Sequence, residues 1–200
     1  MNSSALDEYL ITVDPGRVPL VRELARLVAA AGSLLAIGAC PVDRPEEGIE
    51  ILVRPNPALP WSDDAEAVHG LSREVLGRDG LEPRAAMERL EAWLAGVVPA
   101  GSRPVLVAFN APFDWMFVAD AAWRHLGRNP FGISALDIKA LYLGRHLDAV
   151  ERWSETTSDH VRARYPVAAP HTHRALDDAR EQAAILRRIR DEARAGGTEW

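Results

Sequence analysis

The sequence predicts an α/β domain built on a mixed sheet. Two features carry that expectation. Apolar strand-like runs come early and look antiparallel, and later runs alternate with stretches of helical periodicity. That order favours a mixed sheet with helices packed against it. Composition agrees: 48% of the 200 residues are apolar and 26% charged, enough to bury a core without disulfide staples.

The elements follow in chain order. Tyr9-Leu10-Ile11-Thr12-Val13 reads as a buried strand ending at Asp14, and Pro15-Gly16 stops it. Pro19 to Ala31 places Leu20, Val21, Leu24, Leu27, Val28 and Ala31 at a helical period. Leu34 to Cys40 is a second strand, and Ile49 to Arg54 a third, closed by Pro55-Asn56-Pro57. Ala65 to Leu76 reads as a short helix with a turn at Gly70. Pro83 to Val97 is amphipathic through Met87, Leu90, Trp93, Leu94 and Val97. Val105 to Phe109 is a fourth strand, and Trp115 to Leu126 a helix. Ser134 to Leu136 is a candidate fifth strand, with Asp137 opening another helix. The last long helix runs from about Arg174 to Arg194. Turn residues are scattered and no linker or repeat appears, so residues 1–200 are expected to form a single domain.

Charge and cysteine content exclude several classes. The net charge of −6 argues against a protein that grips nucleic acid by bulk electrostatics, while leaving room for one that handles phosphate through metal ions. Of 23 basic residues only Lys139 is lysine. The lone Cys40 excludes an internal disulfide and a cysteine zinc cluster, and it ends an apolar run as a packed thiol would. Met1 to Glu8 is polar and acidic, unlike a signal peptide, and no apolar run approaches the ~20 residues that span a bilayer. The expected location is the cytoplasm, with no membrane partner.

Three groups of residues carry chemistry. Asp14 ends a strand, which would fix a metal-ligating carboxylate rigidly; taken alone, beside Pro-Gly, it reads more readily as a turn residue. In Val105 to Asp114 a buried strand enters an Asn-Ala-Pro turn and then a helix. Asp114 falls in the first helical turn, and Asn110 is a candidate N-cap. In His171-Thr172-His173-Arg174-Ala175-Leu176-Asp177-Asp178, helical geometry separates the two acids. Asp177 shares a stripe with Glu181, Ala184 and Arg188, a solvated ladder that Arg174 joins. Asp178 shares one with Ala175, Gln182, Ile185 and Ile189, which is largely apolar, and an acid facing inward needs a partner or a metal. His173 precedes the helix, whereas His171 reads as a loop histidine. Separated acids plus a histidine fit a Mg²⁺ or Mn²⁺ site, with two metals roughly ~4 Å apart activating a water and the histidine as general base. Trp115 and Phe117 fit the helical core pattern better than base stacking, and Trp61, Trp93, Trp123 and Trp153 read as core or interface.

Together these segments resemble the 3'-5' exonucleases with four acids and a catalytic histidine, the DEDDh class. Tyr9 to Asp14 with Leu34 to Ala39 resembles the first motif and the strand after it. Ala67-Val68-His69-Gly70-Leu71-Ser72 is similar to a segment that borders the family's site. Asn110-Ala111-Pro112-Phe113-Asp114 matches the second motif and His173 to Asp178 the third. The resemblance implies a ribonuclease H-like fold and a metal-dependent nuclease releasing nucleoside monophosphates from single-stranded DNA or RNA 3' ends. It implies Asp14, Asp114 and Asp178 as metal ligands and His173 as general base. Asn110, Phe113 and His69 would then contact the terminal nucleotide. By analogy it also implies a homodimer.

One departure stands out. Two residues after the first Asp the family has a Glu, and positions i and i+2 of a strand share a face. Here that position is Gly16, which cannot hold a metal. A non-catalytic module that binds nucleic-acid ends on the same fold is therefore the alternative.

Overall fold

A computed structural model describes residues 33–59, 61, 63, 66–67, 70–167 and 174–196. The expected strand at Tyr9 to Val13, the helical segment Pro19 to Ala31, and Asp14, Gly16, His69, His171 and His173 lie outside the described residues.

The strands are β1 (Ala36–Ala39), β2 (Ile49–Leu52), β3 (Leu106–Ala108) and β4 (Ala135–Asp137). The helices are α1 (Arg73–Asp79), α2 (Pro83–Val97), α3 (Ala111–Leu126), α4 (Ile138–Arg145), α5 (Ser158–Arg164) and α6 (Ala175–Ala195). β1 and β2 pair antiparallel, with Ile37 opposite Ile51 and Gly38 opposite Glu50. β3 and β4 pair parallel, with Leu106 opposite Ala135 and Ala108 opposite Asp137. Antiparallel pairing early and parallel pairing late is the mixed α/β architecture that the element order predicts.

Strand alternation sorts the side chains into two layers. Ile37, Ile51 and Val53 meet Met87, Leu90 and Leu94 of α2 and Ala121 and Ala122 of α3. Leu106 and Ala135 meet Trp115 and Ala119 of α3. Their strand neighbours Val107 and Leu136 point the other way, onto Ile138 and Tyr142 of α4, Val161 of α5, and Ile185, Leu186 and Ile189 of α6. The strands are thus sandwiched between α2 and α3 on one face and α4, α5 and α6 on the other.

Helix ends are set by local chemistry. Pro83 sits in the first turn of α2, where its missing N–H costs nothing. Ser72 Oγ accepts from Val75 N to start α1. Gly127, left-handed at φ 72°, ends α3. Two expectations need correction, and two elements were not expected. α3 begins at Ala111, not Trp115, because Pro112 fits its first turn. The short helix α5 and the 3-10 turn Trp153–Thr156 had no sequence signal. Trp153 is not core: it is 62% exposed.

Candidate active site

The strand ends build the site. β3 runs into Asn110, whose left-handed backbone (φ 60°, ψ 47°) makes the whole turn before α3. Asn tolerates this conformation better than most residues. Its backbone N–H donates to Asp137 Oδ1 at 2.9 Å, and its side chain makes no capping hydrogen bond. The residue is exposed. Asp137 Oδ1 also accepts from Lys139 N at 3.0 Å. One carboxylate thus ties the β3–α3 turn to the start of α4, directly beside Ala108 in the parallel register.

Asp114 lies in the first turn of α3, and Asp178 in the first turn of α6. Helix starts favour negative charge. At Asp114 a stronger effect opposes it. Crowding by neighbouring groups, which strips water from the carboxylate although part of the residue remains accessible, raises its pKa to about 6. Repulsion from Asp137 adds to the rise. Such a carboxylate gains from a bound cation.

α6 is held against the strands by two contacts. Gln182 Oε1 accepts from Phe109 N at 2.9 Å. At Gly38 there is no room for a side chain, because a Cβ would overlap the backbone of Ala175. The first turn of α6 is thereby pressed onto β1. As the stripe argument expects, Asp178 turns inward: its Oδ1 is buried, and Asp114, Asp178, Phe113, Phe117, Gln182 and Gly38 line one cavity. Asp177 instead faces Arg180, 3.7 Å away.

Three of the predicted site residues, Asp114, Asp178 and Phe113, line this cavity, and Asn110 forms the turn that leads into Phe113 and Asp114. Phe113 is 56% exposed and meets Phe117 edge-on, with centroids 5.2 Å apart. Trp115 is buried in the core. Cys40 is half-buried, and burial pushes its thiol pKa up, consistent with an inert packed side chain. Glu181 departs from the expected solvated ladder: it is buried and paired with Arg162 Nε of α5 at 3.0 Å. Asp137 and Gln182 are positioning residues that sequence reasoning left without a role. Gln182 carried a signal, since it lies one turn after Asp178 on the same stripe. Asp137 carried none beyond its place at a helix start.

Among the described residues no three His, Cys, Asp or Glu side chains form a complete metal-binding cluster. Asp114 and Asp178 are a pair of hard oxygen donors at one cavity, which suits Mg²⁺ or Mn²⁺. No described helix is long and apolar enough to cross a membrane.

Comparison with known proteins gives two matches. The sequence profile of the exonuclease family RNase_T matches residues 23–186. A 3'-5' DNA exonuclease, Cap18 of Escherichia coli, is 40% identical over 165 residues, covering 78% of this chain and 82% of that protein.

Proposed function

Since the chain belongs to the RNase_T exonuclease family and is a 3'-5' exonuclease of the DEDDh class, we propose that it trims single-stranded DNA from the 3' end with Mg²⁺ or Mn²⁺, releasing nucleoside monophosphates. The whole chain acts as one catalytic domain in this reading. The observation that carries it is that Asp114 and Asp178, each in the first turn of a helix, line one cavity with Phe113, and that Asn110 forms the turn before Phe113 and Asp114. The name of the relative supports DNA over RNA.

In this reading Asp114, Asp178 and Asp14 hold the metal, which would supply an activated water and stabilise the leaving oxygen of the phosphodiester. His173 takes the proton of the attacking water. Asn110 offers its uncommitted amide to the terminal nucleotide, Phe113 offers its exposed ring to the base, and His69 borders them. Gln182 and Asp137 keep α6 and the β3–α3 turn in place.

Gly16 favours a second reading, a module that binds nucleic-acid ends with little turnover. Incubation with Mn²⁺ and a 5'-labelled single-stranded oligonucleotide separates the two. A ladder of products shortened from the 3' end is expected. No shortening, either by the natural protein or by Gly16→Glu, overturns the exonuclease proposal. Calorimetry without Mn²⁺ binding would favour the second reading.

A further inference from the structure

Trp153 is the feature that the site does not use. It is 62% exposed, yet the turn that carries it is firmly built. Thr156 is fully buried, and its Oγ1 donates to Trp153 O at 2.7 Å. Glu155 Oε2 accepts from Glu151 N at 2.9 Å. A large ring held out on a rigid turn loses little freedom when something packs on it. The Lys139 ammonium lies 4.1 Å from the ring centroid. This is the chain's sole lysine, and its backbone N–H bonds Asp137, the residue that also holds Asn110. The backbone that carries the cation is therefore tied, through Asp137, to the Asn110 turn that leads into Phe113 and Asp114.

A planar apolar ring paired with one cation matches a nucleotide, which presents a planar base and a phosphate. It matches an apolar protein surface poorly: among the described residues only Phe113, Leu147 and Trp153 are large exposed hydrophobics, too few for a broad patch. Because the 3'-terminal nucleotide occupies the site, the rest of a strand must leave it in the 5' direction. We propose that Trp153 and Lys139 form a subsite for one nucleotide upstream of the terminal one, the base stacking on the indole and the adjacent phosphate facing the ammonium. This rests on the exonuclease reading for the direction of the strand.

The test is equilibrium binding of a 5'-fluorescent oligothymidylate of eight nucleotides to the full chain with Ca²⁺ in place of Mn²⁺, a hard cation that keeps the oxygen donors occupied, with strand length checked after each titration. A single abasic residue is moved along the strand. One upstream position is expected to lose about 5- to 150-fold in affinity, the range for one stacked base. Trp153→Ala should weaken the intact strand by a similar factor and be indifferent to an abasic residue at that position. Trp153→Phe, which keeps a π face, should restore most of the loss. Lys139→Met should reduce the slope of log affinity against log salt by about 0.7, one phosphate contact. An abasic profile flat upstream of the terminal nucleotide overturns the proposal without any variant, as does absence of binding. Undiminished binding by Trp153→Ala also overturns it. Failure of the exonuclease reading shows separately, as intact strands in the Mn²⁺ assay.

Discussion

Asp177 and Asp178 are adjacent in sequence and differ in everything that matters for chemistry. Helical periodicity alone separates them, and the structure agrees: Asp178 lines the cavity with Asp114, and Asp177 faces Arg180. Asp178→Asn is expected to lower the initial rate on a labelled oligonucleotide by more than about 100-fold, the upper end of what losing even an outer-sphere metal partner costs. Asp177→Asn should stay within about twofold, as ordinary surface changes do. Equal losses would mean that the stripe does not decide function. The same periodicity misplaces Glu181. Spacing along one helix shows which residues share a stripe, but not that α5 brings Arg162 against that stripe.

At the level of elements, the critical contact is β1 against the start of α6. Gly38 faces the Ala175 backbone with no space for a Cβ, so Gly38→Val must push the strand and helix apart. Overpacking of this kind costs about 1–3 kcal/mol. A lower melting temperature is expected, together with a loss of activity, because Asp178 rides on the displaced turn; an unchanged variant in both assays would contradict the contact. A second joint links α4, α5 and α6. His146 is buried, its Nε2 lies 2.7 Å from the Tyr165 hydroxyl, and that hydroxyl donates to Glu192, which also pairs with Arg164 at 3.1 Å. Burial holds His146 below its ordinary pKa, Arg164 and Arg145 lower it further, and Glu192 partly offsets them. As pH falls below about 6.5, the unfolded chain takes up a proton that the folded ring resists, so stability must fall with it. The melting temperature should therefore drop between pH 7.5 and pH 5.5, and the slope should flatten in His146→Phe; equal slopes would exclude the ring as its source. None of this joint was legible in the sequence. α5 buries only Val161 of its seven residues and shows no apolar stripe, so its 3.6-residue period has nothing to mark it.

For the molecule as a whole, the strands β1 to β4 were legible as short apolar runs and α2, α3 and α6 as helical periodicities, whereas α5 was not. α2 begins and ends where its periodicity does, at Pro83 and Val97. The pairing of β3 with β4 was not legible, because three residues carry too little alternation to fix a register; it is the register that sets Asp137 beside Ala108. Motif spacing pointed to Asp114, Asp178 and Phe113, which line one cavity, whereas the contacts of Gln182 and Asp137 followed only from tertiary structure. The net charge of −6 acquires a meaning at this scale. Among the described residues, arginines reach the chain's own acids and carbonyls, such as Arg174 with Glu50 and Arg187 with Val42 O. In the proposed reading, phosphate is met mainly by a metal that the carboxylates would hold rather than by surface cations. Strand binding should accordingly depend weakly on salt. With each phosphate contact worth a slope of about −0.7 on single strands, the total is expected no steeper than about −2. Activity should instead be abolished by EDTA and restored by Mn²⁺ or Mg²⁺. A salt slope several times steeper, measured on the same oligonucleotide at fixed pH, would reveal a basic binding surface and remove the argument that metal-bound carboxylates make the principal contact with phosphate.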